Sequence, residues 1–221
     1  MNKIITNISL SLLPFLFLGC NIDHDIKLEQ NIYENLFQNL IDSTITDYRK
    51  LIVPSPSDFK NTESLENLNK RIENNKTKEV SPLIIYVKDT IKNIIDIEHF
   101  YSKIKPQLSK EDYQSIVYNP VNQLKENSEI NLQGLIVNTS KYELKHDYIK
   151  IKDKKLLKGL EKDRMSGTYY LSRIYFNKEK TIGALSLGLV HGSLNAIGVI
   201  VIIKKENNRW IIKKIIEDWI S

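Results

Sequence analysis

The stretch from Tyr170 to Trp219 constrains the fold more than any other part of the chain. It reads as runs of Ile, Val, Leu, Tyr and Trp parted by turn residues, the pattern of successive strands. Tyr170 to Phe176 is one run, Asn177-Lys178-Glu179-Lys180 a turn, Thr181 to His191 a second run and Ile197 to Glu206 a third. Asn207-Asn208 then supplies a two-residue connection that tolerates positive φ and leads into Trp210 to Trp219. The pattern predicts a four-stranded antiparallel meander. Its alternation puts Trp210, Ile212 and Lys214 on one face and Ile211, Lys213 and Ile215 on the other. Val199 to Ile203 is apolar on both faces, which predicts a central, doubly covered strand. Gly183, Gly188, Gly192 and Gly198 mark bulges or bends, so the sheet is expected to curve.

A curved sheet needs a cover, and the N-terminal half supplies amphipathic helices. Leu28, Ile32, Leu36, Leu40, Ile41, Ile45, Tyr48 and Ile52 follow the three-and-four spacing of one helical face, which Pro54-Ser55-Pro56 ends. Leu65, Leu68 and Ile72 repeat the spacing in a shorter helix closed by Asn74-Asn75. Leu83 to Val87 reads as a strand and Ile91 to Ile104 as more helical than not. Ser109 with Asp112 forms a cap box for a brief helix through Val117, stopped by Asn119-Pro120. Leu132 to Val137 and Tyr148 to Ile151 are further expected strands. The class expected is α+β, with N-terminal helices packed on a curved antiparallel sheet.

Hydrophobic residues are 41% and charged residues 27% of the 221, which excludes a disordered chain and a multi-span membrane protein. The N-terminus nonetheless carries an address. Lys3 is followed by a mostly apolar run from Ile4 to Leu18, too short for a bilayer-spanning helix and interrupted by Pro14. Cys20 follows at once, and it is the only cysteine of the chain, so no disulfide can form within it.

Leu16-Phe17-Leu18-Gly19-Cys20 resembles the lipobox of bacterial lipoproteins, in which the cysteine is acylated and the leader removed. The resemblance implies a signal peptide over 1–19, a lipidated tether over 20–27 containing Asp23 and Asp25, and a single domain over 28–221. It also implies that Cys20, carrying palmitate-type chains, holds the protein to a membrane of the cell envelope, facing periplasm or surface. Leu171 to Ser221 is similar to a group of uncharacterised Bacteroidetes lipoproteins. The likeness lies in Ser172-Arg173, Phe176-Asn177, Gly192-Ser193-Leu194, Gly198, Asn208-Arg209-Trp210 and Trp219-Ile220-Ser221. Two cysteine positions of that group hold His191 and Asn195 here, so no role of those cysteines transfers. Helices followed by a meander also resemble the NTF2-like fold, whose concave sheet can hold a small ligand.

Chemistry is sparse. His24, His99, His146 and His191 lie far apart and outside any metal-ligand spacing, so neither a metal nor a cofactor is expected. There is no Gly-x-Ser-x-Gly elbow, and an acylated Cys20 is no nucleophile. The candidate ligand-binding residues are His191, Ser193 and Asn195 on a loop between strands, with Arg173. Turn chemistry is the plainer reading of that loop. From Lys141 to Arg164 nine basic residues face five acidic ones, a stretch able to attract anionic headgroups or glycans. A solvated loop is again the plainer reading. The formal charge of +5 is interleaved with acids along the chain, and no nucleic-acid partner is expected.

Three function classes remain. A non-enzymatic envelope module would bind a small ligand, glycan or protein and predicts a concave face lined by aromatic and convergent polar groups. A hydrolase predicts that His191, Ser193 or a carboxylate pair converge in a cleft. An inhibitor or immunity-type lipoprotein predicts a flat charged surface and a protein partner. The first is the reading favoured.

Overall fold

The computed structural model describes residues 13–45, 47, 49, 52, 54–76, 80–123, 126–129, 131–146, 164–192 and 195–220, with 13–24, 76, 132, 146 and 192 described as backbone alone. The first helix, α1, spans Leu13–Thr44, so it lies further toward the N-terminus than the apolar spacing over Leu28–Ile52 suggests. Its stripe of Ile32, Tyr33, Leu36, Phe37, Leu40 and Ile41 is at most 3% exposed. Burying such side chains contributes about 1.5–3 kcal/mol each, more than intrinsic propensity gives a helix. At its end the Thr44 hydroxyl donates to the Leu40 carbonyl at 2.6 Å and also meets the Tyr169 hydroxyl. Beyond it the Arg49 guanidinium donates to the Asp47 carboxylate and to the Ser81 carbonyl, building a loop in place of further turns.

A short 3₁₀ turn at Pro56–Phe59 and helix α2, Thr62–Lys76, precede strand β1, Leu83–Val87. Then come β2 (Thr90–Ile91), α3 (Ile97–Ile104), α4 (Lys110–Val117), α5 (Pro120–Gln123) and β3 (Ser128–Glu129). The expected cap is present: Ser109 Oγ accepts from the Asp112 amide at 3.1 Å and opens α4. The remaining strands are β4 (Tyr142–His146), β5 (Met165–Leu171), β6 (Tyr175–Phe176), β7 (Ile182–Gly192), β8 (Asn195–Glu206) and β9 (Arg209–Ile220).

The fold is α+β, with an open seven-stranded sheet ordered β4-β1-β5-β7-β8-β9 and β6 paired to β7. The meander β5-β7-β8-β9 is antiparallel, as its sequence suggests. The sheet as a whole is mixed rather than antiparallel, because β1 runs parallel to both β4 and β5. Asn207 and Asn208 adopt φ of 47° and 63°, the left-handed pair of the expected hairpin turn. Strand β8 has a partner on each side and a core on each face. Val199, Val201 and Ile203 join the α1 cluster, while Ile200 and Ile202 join Phe100, Ile104 and Ile116 of α3 and α4.

Four expectations need correction. The run from Tyr170 to Phe176 is two strands, since Leu171 lies opposite Leu187 but Tyr175 opposite Ala184. Four steps of one strand against three of the other force a kink at Ser172-Arg173-Ile174. The alternation of β9 is also broken. Ile203 faces Ile212 while Ile202 faces Lys214, so Lys213 is an extra residue and Ile215 rejoins the face of Trp210 and Ile212. Leu132 to Val137 is not a strand; Leu132–Gly134 is a 3₁₀ turn. The Gln133 and Gly134 amides turn back to Asn131, and α1 holds the two flanks, with the Asn131 amide donating to Gln30 Oε1 at 2.9 Å and the Asn138 amide to Gln38 Oε1 at 2.5 Å. The tether expected over 20–27 is part of α1, and Asp25 is buried against Lys180. The strand expected over 148–151 lies outside the described residues.

Candidate functional site

The kink after β5 carries Arg173, a fully buried charged side chain. Arg173 and Glu29 are each 1% exposed. Arg173 Nε donates to Glu29 Oε2 at 2.7 Å, Nη2 to Oε1 at 3.1 Å and Nη1 to the Glu126 carbonyl at 2.6 Å. Beside them the Tyr33 hydroxyl donates to the Ser172 carbonyl at 2.5 Å. Burial, with the Glu29 carboxylate nearby, holds that phenol well above its ordinary pKa against the pull of Arg173. The fork of Arg173 is thus filled by Glu29 of α1 and the Glu126 carbonyl, and the ion pair fastens that helix to the sheet.

Of the other three candidates, His191 and Asn195 do not meet Arg173. His191 is the penultimate residue of β7, Asn195 opens β8 and is exposed, and Ser193 lies outside the described residues. In register, Arg173 and His191 stand about six strand residues apart, roughly 20 Å at the usual rise. Burial holds the His191 ring below its ordinary pKa, opposed by a hydrogen bond to the Ser166 backbone. The side chain of Cys20 is outside what the structure describes.

A cavity of about 490 Å³ opens instead between α3 and the face of the sheet opposite α1. Tyr170, Phe100 and Trp219 form its aromatic walls, and Gly188 lies among its lining residues. Two features of the sequence place Trp219 there. Gly198 has no side chain, and an added Cβ would stand 2.1 Å from the indole Nε1, so the ring occupies the space a side chain would take. The register slip between Gly198 and Val199 leaves Asp218 unpaired in the ladder beside it. Trp219 stays 44% exposed, a large aromatic face open to a partner.

Polar groups converge on the same opening. His99 Nε2 lies 2.6 Å from Asp218 Oδ1, and Lys103 Nζ is 3.9 Å from the same oxygen. Asp96 caps α3, its carboxylate accepting from the His99 amide at 3.0 Å, and so fixes the helix turn that carries the imidazole. Asn93 accepts from the Tyr175 hydroxyl and from the Ile94 amide. Ser172 Oγ is spent, donating to the Arg173 carbonyl and accepting from the Ser186 amide. An imidazole held by a carboxylate makes a base-and-orienter pair, but among the described residues no hydroxyl bonds the His99 ring as a nucleophile would. Among the same residues no group of three His, Cys, Asp or Glu gathers to hold a metal, and no helix is long and apolar enough to cross a membrane.

His99, Asp218, Asp96, Phe100 and Tyr170 were not singled out by sequence. The usable signal was the glycine opposite a tryptophan in the last hairpin, Gly198 and Trp219, because a strand glycine often marks a close approach. Comparison with known proteins finds no matching family model, no matching curated relative and no matching solved structure.

Proposed function

We propose that the protein is an envelope lipoprotein, anchored through acylated Cys20, that binds a small amphiphilic ligand without transforming it. The observation that carries this reading is the cavity of about 490 Å³ walled by Phe100, Tyr170 and Trp219 and edged by His99, Asp96 and Asp218. Its size falls in the range of small-ligand sites, roughly 300–1,000 Å³. A flat aromatic wall beside hydrogen-bonding groups suits a saccharide ring, whose C–H face stacks while its hydroxyls reach the polar edge. The polar groups already hold one another, which favours a preformed binding surface over a reacting constellation.

The chain has two tryptophans, and they report separately. Trp210 packs on Phe176 with ring centroids 5.7 Å apart, in the core on the α1 side. A ligand in the cavity therefore changes the emission of Trp219 alone. Titrating a panel of envelope saccharides into the protein is expected to give a saturable emission change that Trp219→Phe removes, with a rise in melting temperature. No saturable change across the panel, or one that persists in Trp219→Phe, would reject the cavity as the site.

A further inference from the structure

We infer that the pole of the molecule formed by the β6–β7 turn and the β8–β9 hairpin is the face it lays on an anionic lipid surface. The inference rests on acylation of Cys20 and goes beyond it, because the structure fixes which surface the anchor brings down. Asp25 is 2% exposed and held by Lys180, and one turn later Glu29 is held by Arg173. Cys20 stands five residues before Asp25 on the same helix, about 7.5 Å at the helical rise. The headgroup layer is itself roughly 5–7 Å thick on each side of the hydrocarbon. A stub that short seats the body around Asp25 directly on the headgroups.

That surface has a matching chemistry. Lys180 lies in the β6–β7 turn, and the Lys205 amide donates to the Thr181 carbonyl at 2.7 Å, which brings the β8–β9 hairpin alongside. Five cationic side chains result: Lys178, Lys180, Lys204, Lys205 and Arg209, with Lys178, Lys205 and Arg209 exposed. Among the described side chains the carboxylates of the same pole are Asp25 on Lys180, Glu206 at 3.4 Å from Lys204, and Glu179, which accepts from Ser115. Tyr118, 73% exposed, shares a surface hollow with Lys178 and Lys180. A tyrosine at headgroup depth keeps its ring in the interface and its hydroxyl in water. The described ends of the basic stretch, which the sequence offers as able to attract anions, lie at the other end. Lys141 and Arg164 pair with Asp42 and Glu143 near the close of α1, roughly 36 Å of helix beyond Cys20.

The orientation can be read with a probe on a single thiol, since acylation consumes the one native cysteine. Full-length acylated protein carrying Pro120→Cys or Thr139→Cys, both exposed positions, is labelled with a fluorophore and reconstituted with nitroxide-bearing lipids. Vesicles are phosphatidylcholine alone or with phosphatidylglycerol. Strong quenching is expected at position 120 and none at position 139. It should weaken without phosphatidylglycerol and in the triple variant Lys178→Gln, Lys205→Gln, Arg209→Gln, whose charges each contribute roughly fivefold to headgroup affinity. Equal quenching at the two positions, or quenching at 120 that ignores both lipid charge and the triple variant, overturns the inference. Mass spectrometry of the same preparation separates the levels. A chain without acyl mass on Cys20 refutes the anchor and the orientation with it, whereas an acylated chain resting on another face refutes the orientation alone.

Discussion

Replacing Glu29 by Gln keeps the shape of the side chain and removes its charge, leaving the Arg173 guanidinium buried at 1% exposure without a counter-ion. Removing one partner of a buried, hydrogen-bonded pair costs about 3–5 kcal/mol, because the stranded charge keeps its desolvation penalty. The two charge-assisted bonds, at 2.7 and 3.1 Å, place this pair in that class. At about 2–4 °C per kcal/mol for a domain of this size, the melting temperature should fall by about 6–20 °C. Urea denaturation of the Cys20→Ser protein is the cleaner assay, since a pure stability loss lowers the midpoint and leaves the slope unchanged. Replacing both partners, Glu29→Leu with Arg173→Met, should cost less than either single change, for the double variant buries no lone charge. The Glu126 carbonyl then loses its donor from Arg173, and some deficit should persist. If Glu29→Gln lies within about 1 kcal/mol of the parent, or the cycle shows no coupling, the claim that this pair fastens α1 to the sheet is wrong.

Gly198→Ala should both destabilise and blind the cavity: its Cβ would stand 2.1 Å from Trp219 Nε1, and relieving such overpacking costs about 1–3 kcal/mol. Urea midpoints and Trp219 emission measure the two effects, and an unchanged Trp219 spectrum would refute the packing described. His191 sets a pH dependence. Because burial holds its folded pKa below the ordinary value, the unfolded chain binds more protons, so stability is lost as pH falls below roughly 6.5. His191→Gln should flatten that part of the melting-temperature profile; a profile of unchanged slope would count against the burial of the ring.

The C-terminal half of the fold was legible because its signals are local. Asn207-Asn208 dictates its own turn, and Val199 to Ile203 announces a strand covered on both faces. Ser109 and Asp112 fix a helix start within four residues. What was illegible depends on partners distant in sequence. Leu132 to Val137 is as apolar as a strand, yet it is held at both ends by Gln30 and Gln38 of α1, which accept from the flanking Asn131 and Asn138 amides. Nothing local marks Lys213 as the residue where β9 slips, because slippage is decided across the ladder by Ile202 and Ile203. The cavity follows the same rule. His99 and Asp218 are 119 positions apart and meet only once α3 has docked on the sheet, whereas the neighbours His191, Ser193 and Asn195 drew attention by proximity alone. Arg173 stands out in the sequence as a functional candidate, whereas nothing local marks Glu29. Each is explained only by the other.

That pairing has a consequence for how the chain acquires its structure. Glu29 and Arg173 are separated by 144 positions, and Asp25 and Lys180 by 155, so the first helix is completed by nearly the last strands. A chain emerging from its N-terminus must keep Ile32, Tyr33, Leu36, Phe37, Leu40 and Ile41 without their final cover until residues near 180 have followed. Contacts of such long range are slow to form and leave apolar surface open meanwhile. The cover of the N-terminal helix is therefore complete only when the strands around residue 180 have been made.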